Sequence, residues 1–198
     1  MASHALMEYC EHRTLARRTI MPGEHAVSWE PAEITTLLGS CVAACVWDSN
    51  RHIGGMNHFM LPDEPISHHN NPSEATKPLR YGLYAMERLI NDLLVMGAKR
   101  ENLVAKVFGG ANISGVLGEH NIGRRNSEFV LEFLKKDQIK IGAVDMGGIH
   151  SRRVKFYTDS GKVRVFGVAV ADRMAAQQER RYSESIRKDP VSGDIVFF

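Results

Sequence analysis

Between Gly39 and Pro62 the chain sets two apolar runs on either side of one turn cluster. Val42-Ala43-Ala44-Cys45-Val46-Trp47 comes first, then Asp48-Ser49-Asn50-Arg51, then Ile53 through Leu61. Short apolar runs bounded by turn residues read as the paired strands of a β-hairpin. A buried helix over 42–47 is the competing reading, because so short a run has no period of its own. On the hairpin reading, a turn centred between Ser49 and Asn50 sets Cys41 opposite His58. Directly opposed residues of an antiparallel pair hold their Cβ atoms roughly 4.5–5.5 Å apart, within thiol–imidazole reach. A bulge would break the match.

Around this hairpin the chain reads as strands at both ends and two core helices between. Strands are expected over about 25–29, Ile34–Leu38, Val104–Phe108 and Ile139–Val144, and a second hairpin over Val154–Tyr157 and Val163–Val170 about Asp159-Ser160-Gly161. Tyr81–Met96 carries Leu83, Met86, Ile90, Leu93 and Leu94 at helical steps and stops at Gly97; Asn126–Lys136 repeats the pattern with Phe129, Val130, Phe133 and Leu134. Residues 62–78 form a long Pro-, Ser-, His- and Asn-rich loop, and 173–188 a charged surface helix before an apolar tail, Ile195–Phe198. The fold class is therefore α+β, a single domain of mixed and antiparallel β-sheet packed with two main helices. Its parts are a mobile lead-in at 1–19, the domain proper at 20–171 and a polar C-terminal extension at 172–198.

A net charge of +2, from 25 basic and 23 acidic residues, provides no field for nucleic acid or an anionic membrane. No stretch is apolar for long enough to span a bilayer, and residues 1–20 lack the apolar centre of a secretory signal. The cysteines Cys10, Cys41 and Cys45 are an odd set without a secreted-scaffold spacing, so the expectation is a reducing cytoplasm in which one thiol is free for chemistry.

Cys41 is the candidate for that thiol. It follows Gly39-Ser40, where a strand ends and the backbone can turn sharply enough to aim N–H groups at an oxyanion. A thiol with an ordinary pKa is only a few per cent ionised at neutral pH, and an imidazole beside it takes the proton. The resulting thiolate attacks an amide carbonyl, the protonated His58 delivers its proton to the leaving nitrogen, and water hydrolyses the thioester. The competing reading makes Cys41 a packing residue and His58 a hydrogen-bonded core histidine. Cys45, four residues on, is read as core.

These segments resemble the CheD family of chemoreceptor glutamine deamidases. The matching stretches are Thr35-Thr36-Leu37-Leu38-Gly39-Ser40-Cys41-Val42, Gly54-Gly55-Met56-Asn57-His58-Phe59-Met60-Leu61-Pro62, Lys106-Val107-Phe108-Gly109-Gly110-Ala111-Asn112, Asn121-Ile122-Gly123-Arg124-Arg125-Asn126 and Asp145-Met146-Gly147-Gly148. The resemblance runs from about residue 20 to about 170. It implies a cysteine hydrolase with Cys41 as nucleophile, His58 as base and Thr35, six residues before the cysteine, completing the set. It also implies the reaction: selected glutamines on the cytoplasmic helices of methyl-accepting chemotaxis receptors become glutamates with release of ammonia, a protein-glutamine glutaminase activity. Some members bind a CheC-type phosphatase, a second partner the resemblance brings in. Two other readings stay open, a non-catalytic adaptor for receptors or a phosphatase on the same fold, and a cysteine amidohydrolase for another amide.

No cofactor and no metal is expected. His68-His69 lies in the loop without a second ligand pair at zinc spacing, and Gly109-Gly110 and Gly147-Gly148 lack the residues of a phosphate loop, so they are read as serving tight turns and close backbone approach near the site. Arg124, Arg125, Arg152 and Arg153 are candidate contacts for acidic receptor helices, with solvated loop charges the plainer reading.

Overall fold

A computed structural model describes residues 15–62, 77–113 and 121–188 of the 198-residue chain. Cys10, the His68-His69 pair, most of the 62–78 loop and the 195–198 tail lie outside the described residues. The α+β expectation holds: the described residues form two sheets and three α-helices. One sheet has the order β1 (Ala16–Thr19), β3 (Ala32–Leu38), β8 (Arg152–Tyr157), β9 (Val163–Gly167). The other runs β2 (His25–Ser28), β5 (Ile53–Asn57), β4 (Val42–Asp48), β6 (Leu103–Gly109), β7 (Lys140–Met146). Helices α1 (Lys77–Val95) and α2 (Ile122–Lys136) contribute to the core, and α3 (Asp172–Lys188) follows the last strand.

β4 explains why its sequence shows no alternation. Val42, Ala44 and Val46 pack against Met86, Leu89, Ile90, Phe129 and Val130 of α1 and α2. Cys41, Ala43 and Cys45 pack against Ile34, Leu38, Val154 and Phe156 of the other sheet. The five-stranded sheet is the middle layer, and a strand covered on both faces reads as one continuous apolar run.

The hairpin forms, but its turn sits one residue later than expected. Asp48 pairs with Ile53, leaving residues 49–52 as the loop. Asp48 keeps its backbone in the strand and uses its side chain on the turn, accepting from the N–H groups of Asn50 (2.9 Å), Arg51 (3.1 Å) and, across the fold, Lys99 (2.8 Å). Its carbonyl accepts from His52, which adopts the left-handed conformation at φ 55°. Burial alone would push this carboxyl up, and the surrounding N–H groups more than offset that and hold it below its usual range. The ladder therefore slides by two residues, and His58 falls in register with Ala43 rather than with Cys41. A two-residue slide leaves every side chain on its expected face.

The lead-in also holds a strand. Residues 16–19, exposed and basic, pair in parallel with β3, and the Ile20 N–H extends that ladder to the Thr35 carbonyl at 3.0 Å.

Candidate active site

Cys41 lies on the corner where the chain leaves β3 in one sheet and enters β4 in the other. Each carbonyl of the corner has a donor: Ala111 N–H for Gly39, Asn126 Nδ2 for Ser40 and Gly110 N–H for Cys41, all at 2.8 Å. Asn126, fully buried on α2, also accepts from the Leu61 N–H at 2.8 Å, so one amide ties the corner to the strand end beyond His58. Gly109 must be glycine. Its φ is +112°, and a Cβ there would stand 2.2 Å from the Cys41 carbonyl oxygen. The expected role of Gly109-Gly110, close backbone approach beside the site, is what these contacts show.

Val42 and Phe59 exchange backbone hydrogen bonds of 3.0 and 2.9 Å. Cys41 and His58 flank that pair diagonally, on the face turned toward the four-stranded sheet. Diagonal neighbours lie roughly 7–8 Å apart, somewhat less at Cβ, a span that a thiol and an imidazole reach toward from either side. Both residues are buried, and His58 Nε2 has no hydrogen-bond partner. β5 bends just there: the Ala44 N–H goes to Asn57 Oδ1 at 2.9 Å instead of to a backbone carbonyl, while the His58 N–H and carbonyl pair with Glu24 and Gly23.

The opposite imidazole nitrogen is held by a threonine, and it is Thr36. Along β3, Ile34, Thr36 and Leu38 face the interior; Thr35 alternates to the other face, half-buried, in register with Thr19 of β1 and Lys155 of β8. Thr36 Oγ1 lies 2.7 Å from His58 Nδ1 and 2.8 Å from the Ile20 carbonyl oxygen. That carbonyl can only accept, so it takes the single hydroxyl proton and Oγ1 must accept from Nδ1–H. Nε2 then carries the lone pair, the arrangement a general base requires. β1, the strand missing from the sequence reading, delivers this carbonyl. Burial pushes the imidazole down to about 3, the nearby Ile20 carbonyl opposing it, so His58 is neutral at rest.

A fourth residue, unforeseen from sequence, reaches the corner. Glu179 of α3 is 7% exposed, and its Oε1 accepts from the N–H groups of Gly39 (3.1 Å) and Cys41 (2.9 Å) while Oε2 accepts from Ser40 Oγ (2.6 Å). Burial first, then the charge and hydrogen bond of Glu179, hold the Cys41 thiol well above its usual range. Tyr182, one turn on, lies over Gly23. The expected charged helix is present, but one of its faces closes the site. The usable signal was a stripe at helical spacing, Ala171, Ala175, Tyr182 and Ile186, with a lone glutamate in it. Beside Glu179 a cleft of about 400 Å³ opens between α3 and the start of α2, lined by Ser40, Met60, Asn121, Gly123, Ala176 and Arg180.

Two backbone N–H groups and a hydroxyl converge on one carboxylate beside a buried cysteine. The same donors suit the oxyanion of an acyl transfer, and a neutral imidazole with a free Nε2 stands behind them. Among the described residues no group of three or more His, Cys, Asp or Glu is placed to hold a metal ion, and no helix is long and apolar enough to cross a membrane.

The family described as CheD chemotactic sensory transduction matches residues 60–166. Three curated relatives align over almost all of the chain. A protein of Thiobacillus denitrificans is 43% identical, covering 90% of this chain and 88% of its own. One of Shewanella oneidensis is 41% identical, covering 96% and 91%, and one of Herminiimonas arsenicoxydans 45% identical, covering 90% and 87%. All three carry the name probable chemoreceptor glutamine deamidase CheD, the second with the numeral 1. The chain belongs to the CheD family.

Proposed function

We propose that this protein is a chemoreceptor glutamine deamidase, a protein-glutamine glutaminase, in which Cys41 is the nucleophile, His58 Nε2 the base and Thr36, rather than Thr35, the hydroxyl that orients the imidazole. One observation carries the reading. The N–H groups of Gly39 and Cys41 and the Ser40 hydroxyl already grip a glutamate carboxylate at hydrogen-bond distance, next to a buried thiol. A glutamate side chain is what glutamine becomes on deamidation, so the corner binds the head group of the product.

The chemistry follows from that grip. With a receptor glutamine in place of Glu179, its carbonyl oxygen takes the two N–H bonds. His58 Nε2 accepts the thiol proton, and the sulfur forms a bond to the amide carbon. The developing oxyanion stays on the Gly39 and Cys41 N–H groups. Collapse breaks the C–N bond as imidazolium protonates the nitrogen, so ammonia leaves and a thioester remains. Water, losing a proton to the same imidazole, adds to the thioester carbon. The C–S bond then breaks, leaving glutamate on the receptor and the thiol restored.

The substrate in this reading is the helical cytoplasmic part of methyl-accepting chemotaxis receptors, and the compartment is the cytoplasm, where Cys41 and Cys45 stay free thiols. The resemblance also names a CheC-type phosphatase as partner of some members, and co-purification of the two tests that for this chain. The deciding experiment incubates the protein with a receptor cytoplasmic fragment and follows ammonia and the Gln-to-Glu mass change by peptide. The wild type converts specific glutamines and Cys41→Ala converts none while still binding the fragment. Receptor binding with no conversion by either protein makes it an adaptor. A cleaved backbone or another amide hydrolysed makes it a different cysteine hydrolase.

A further inference from the structure

The position of α3 calls for an explanation that packing alone does not supply. Most of the helix faces solvent, and a single stripe, Ala171, Ala175, Glu179, Tyr182 and Ile186, faces the body of the protein. A helix that needed only to cover the core would carry an apolar residue at the centre of that stripe, since a buried carboxylate is costly unless its oxygens are satisfied. Here the central residue is a glutamate, and its partners are the nucleophile's own N–H, the N–H two residues before it and the hydroxyl between. The helix can come this close because Gly39 has no side chain and Ala175 has almost none. A Cβ on Gly39 would stand 2.6 Å from Ile113, 2.8 Å from Glu179 and 3.3 Å from the Ala175 Cβ. Cys41 is fully buried beneath it.

We propose that α3 lies in the groove where the substrate's helix docks, with Glu179 standing where a newly deamidated side chain stands, so that the chain carries its own product mimic. The proposal rests on the deamidase reading and deepens it by naming the docking surface and the partner it fits. That partner is an amphipathic helix projecting one glutamine from a stripe of small residues, seated across the Gly39-Ser40-Cys41 corner. In the chain as it stands, receptor and α3 compete for one groove. The resting protein keeps its thiol protonated and covered until α3 gives way.

Replacing Glu179 by glutamine makes α3 a substrate. The Cys41 sulfur bonds to the side-chain carbonyl carbon of the new amide, and the C–N bond breaks with the proton of imidazolium going to ammonia. Water then displaces the sulfur, regenerating glutamate at position 179 and the free thiol. In full-length Glu179→Gln, peptide mass spectrometry is expected to find position 179 converted to glutamate, and unconverted when Cys41→Ala is added. Two further full-length variants, Glu179→Ala and Ala175→Arg, empty the groove without altering Cys41 or His58. Each is expected to raise the rate on a receptor cytoplasmic fragment by about 10- to 100-fold, what a site open only about 1–10% of the time would withhold. Alkylation of Cys41 by iodoacetamide, read on its own peptide, rises with it. An amide that persists at position 179, together with unchanged rates in both other variants, in a preparation whose wild type deamidates the fragment, overturns the mimic and leaves the deamidase standing. No conversion of the receptor by the wild type or any variant, and none at position 179 of Glu179→Gln, overturns the deamidase reading and the mimic with it.

Discussion

Thr36 Oγ1 sits 2.7 Å from His58 Nδ1 and donates its own hydrogen bond to the Ile20 carbonyl. That contact settles which imidazole nitrogen carries hydrogen, and it links the function of the site to an edge strand, β1, that buries nothing itself.

Removing the two neighbouring hydroxyls should have unequal effects. Thr36→Val frees the imidazole to rotate and change tautomer, and is expected to lower kcat on a receptor fragment by about 10- to 100-fold, the scale of loss when a reacting group is misplaced. KM should change little, because Thr36 is buried beneath the site. Thr35→Val, on the other face of β3, should stay within about two-fold, as expected of a position with no contact to the reacting groups. Steady-state kinetics of the two variants side by side decides between the residues.

Acid should weaken the fold through His58. In the folded protein its imidazole is pushed down to about 3, against an ordinary value of 6.5. Between those two pH values the unfolded chain binds the proton and the folded chain does not, so stability falls as pH drops through this window. The slope approaches about 1.4 kcal/mol per pH unit, or about 2–3 kcal/mol between pH 6.5 and 4.5. The stability margin of wild type over His58→Gln in urea titrations should shrink by that amount. Glu33 and Asp48, whose carboxyls are held low in the fold, lose stability in the same direction in both proteins and cancel in the difference.

Two glycines, both at positive φ, make an internal control. Gly109→Ala drives a Cβ to 2.2 Å from the Cys41 carbonyl oxygen at φ +112°, whereas Gly147, at φ +82°, has nothing within 4 Å. Gly147→Ala should cost about 1–2 kcal/mol, the penalty of a left-handed backbone alone. Gly109→Ala adds a backbone collision and should cost about 3 kcal/mol or more, with activity lost even in the folded fraction. Denaturant unfolding and specific activity of the two proteins test this.

What could be read in advance follows the periodicity of each segment. α1 and α2 were legible because Met86, Ile90 and Leu93, and Phe129, Val130 and Phe133, repeat at helical steps against one layer. β4 was legible as a strand, but its register was not: buried on both faces, it offers no alternation, and Asp48 reads as a turn residue although it pairs with Ile53 as the last residue of the strand. A register offset of two residues keeps Cys41 and His58 on one face. Thr35 and Thr36 are equally plausible by type, and only the interior placement of Ile34 and Leu38 separates them. Glu179 was hidden by composition, since a helix rich in Arg, Gln, Glu and Ser reads as solvent-facing until its apolar stripe is traced through the glutamate.

The most direct test of the central claim is to intercept the bond between Cys41 and the substrate. Deamidation of a receptor fragment in the presence of hydroxylamine should divert part of the product from glutamate to the γ-hydroxamate at the same positions. The diversion should grow with hydroxylamine concentration and vanish with Cys41→Ala. Glutamate alone at every hydroxylamine concentration, formed as fast by Cys41→Ala as by the wild type, would contradict a cysteine thioester and remove the chemistry assigned to this corner.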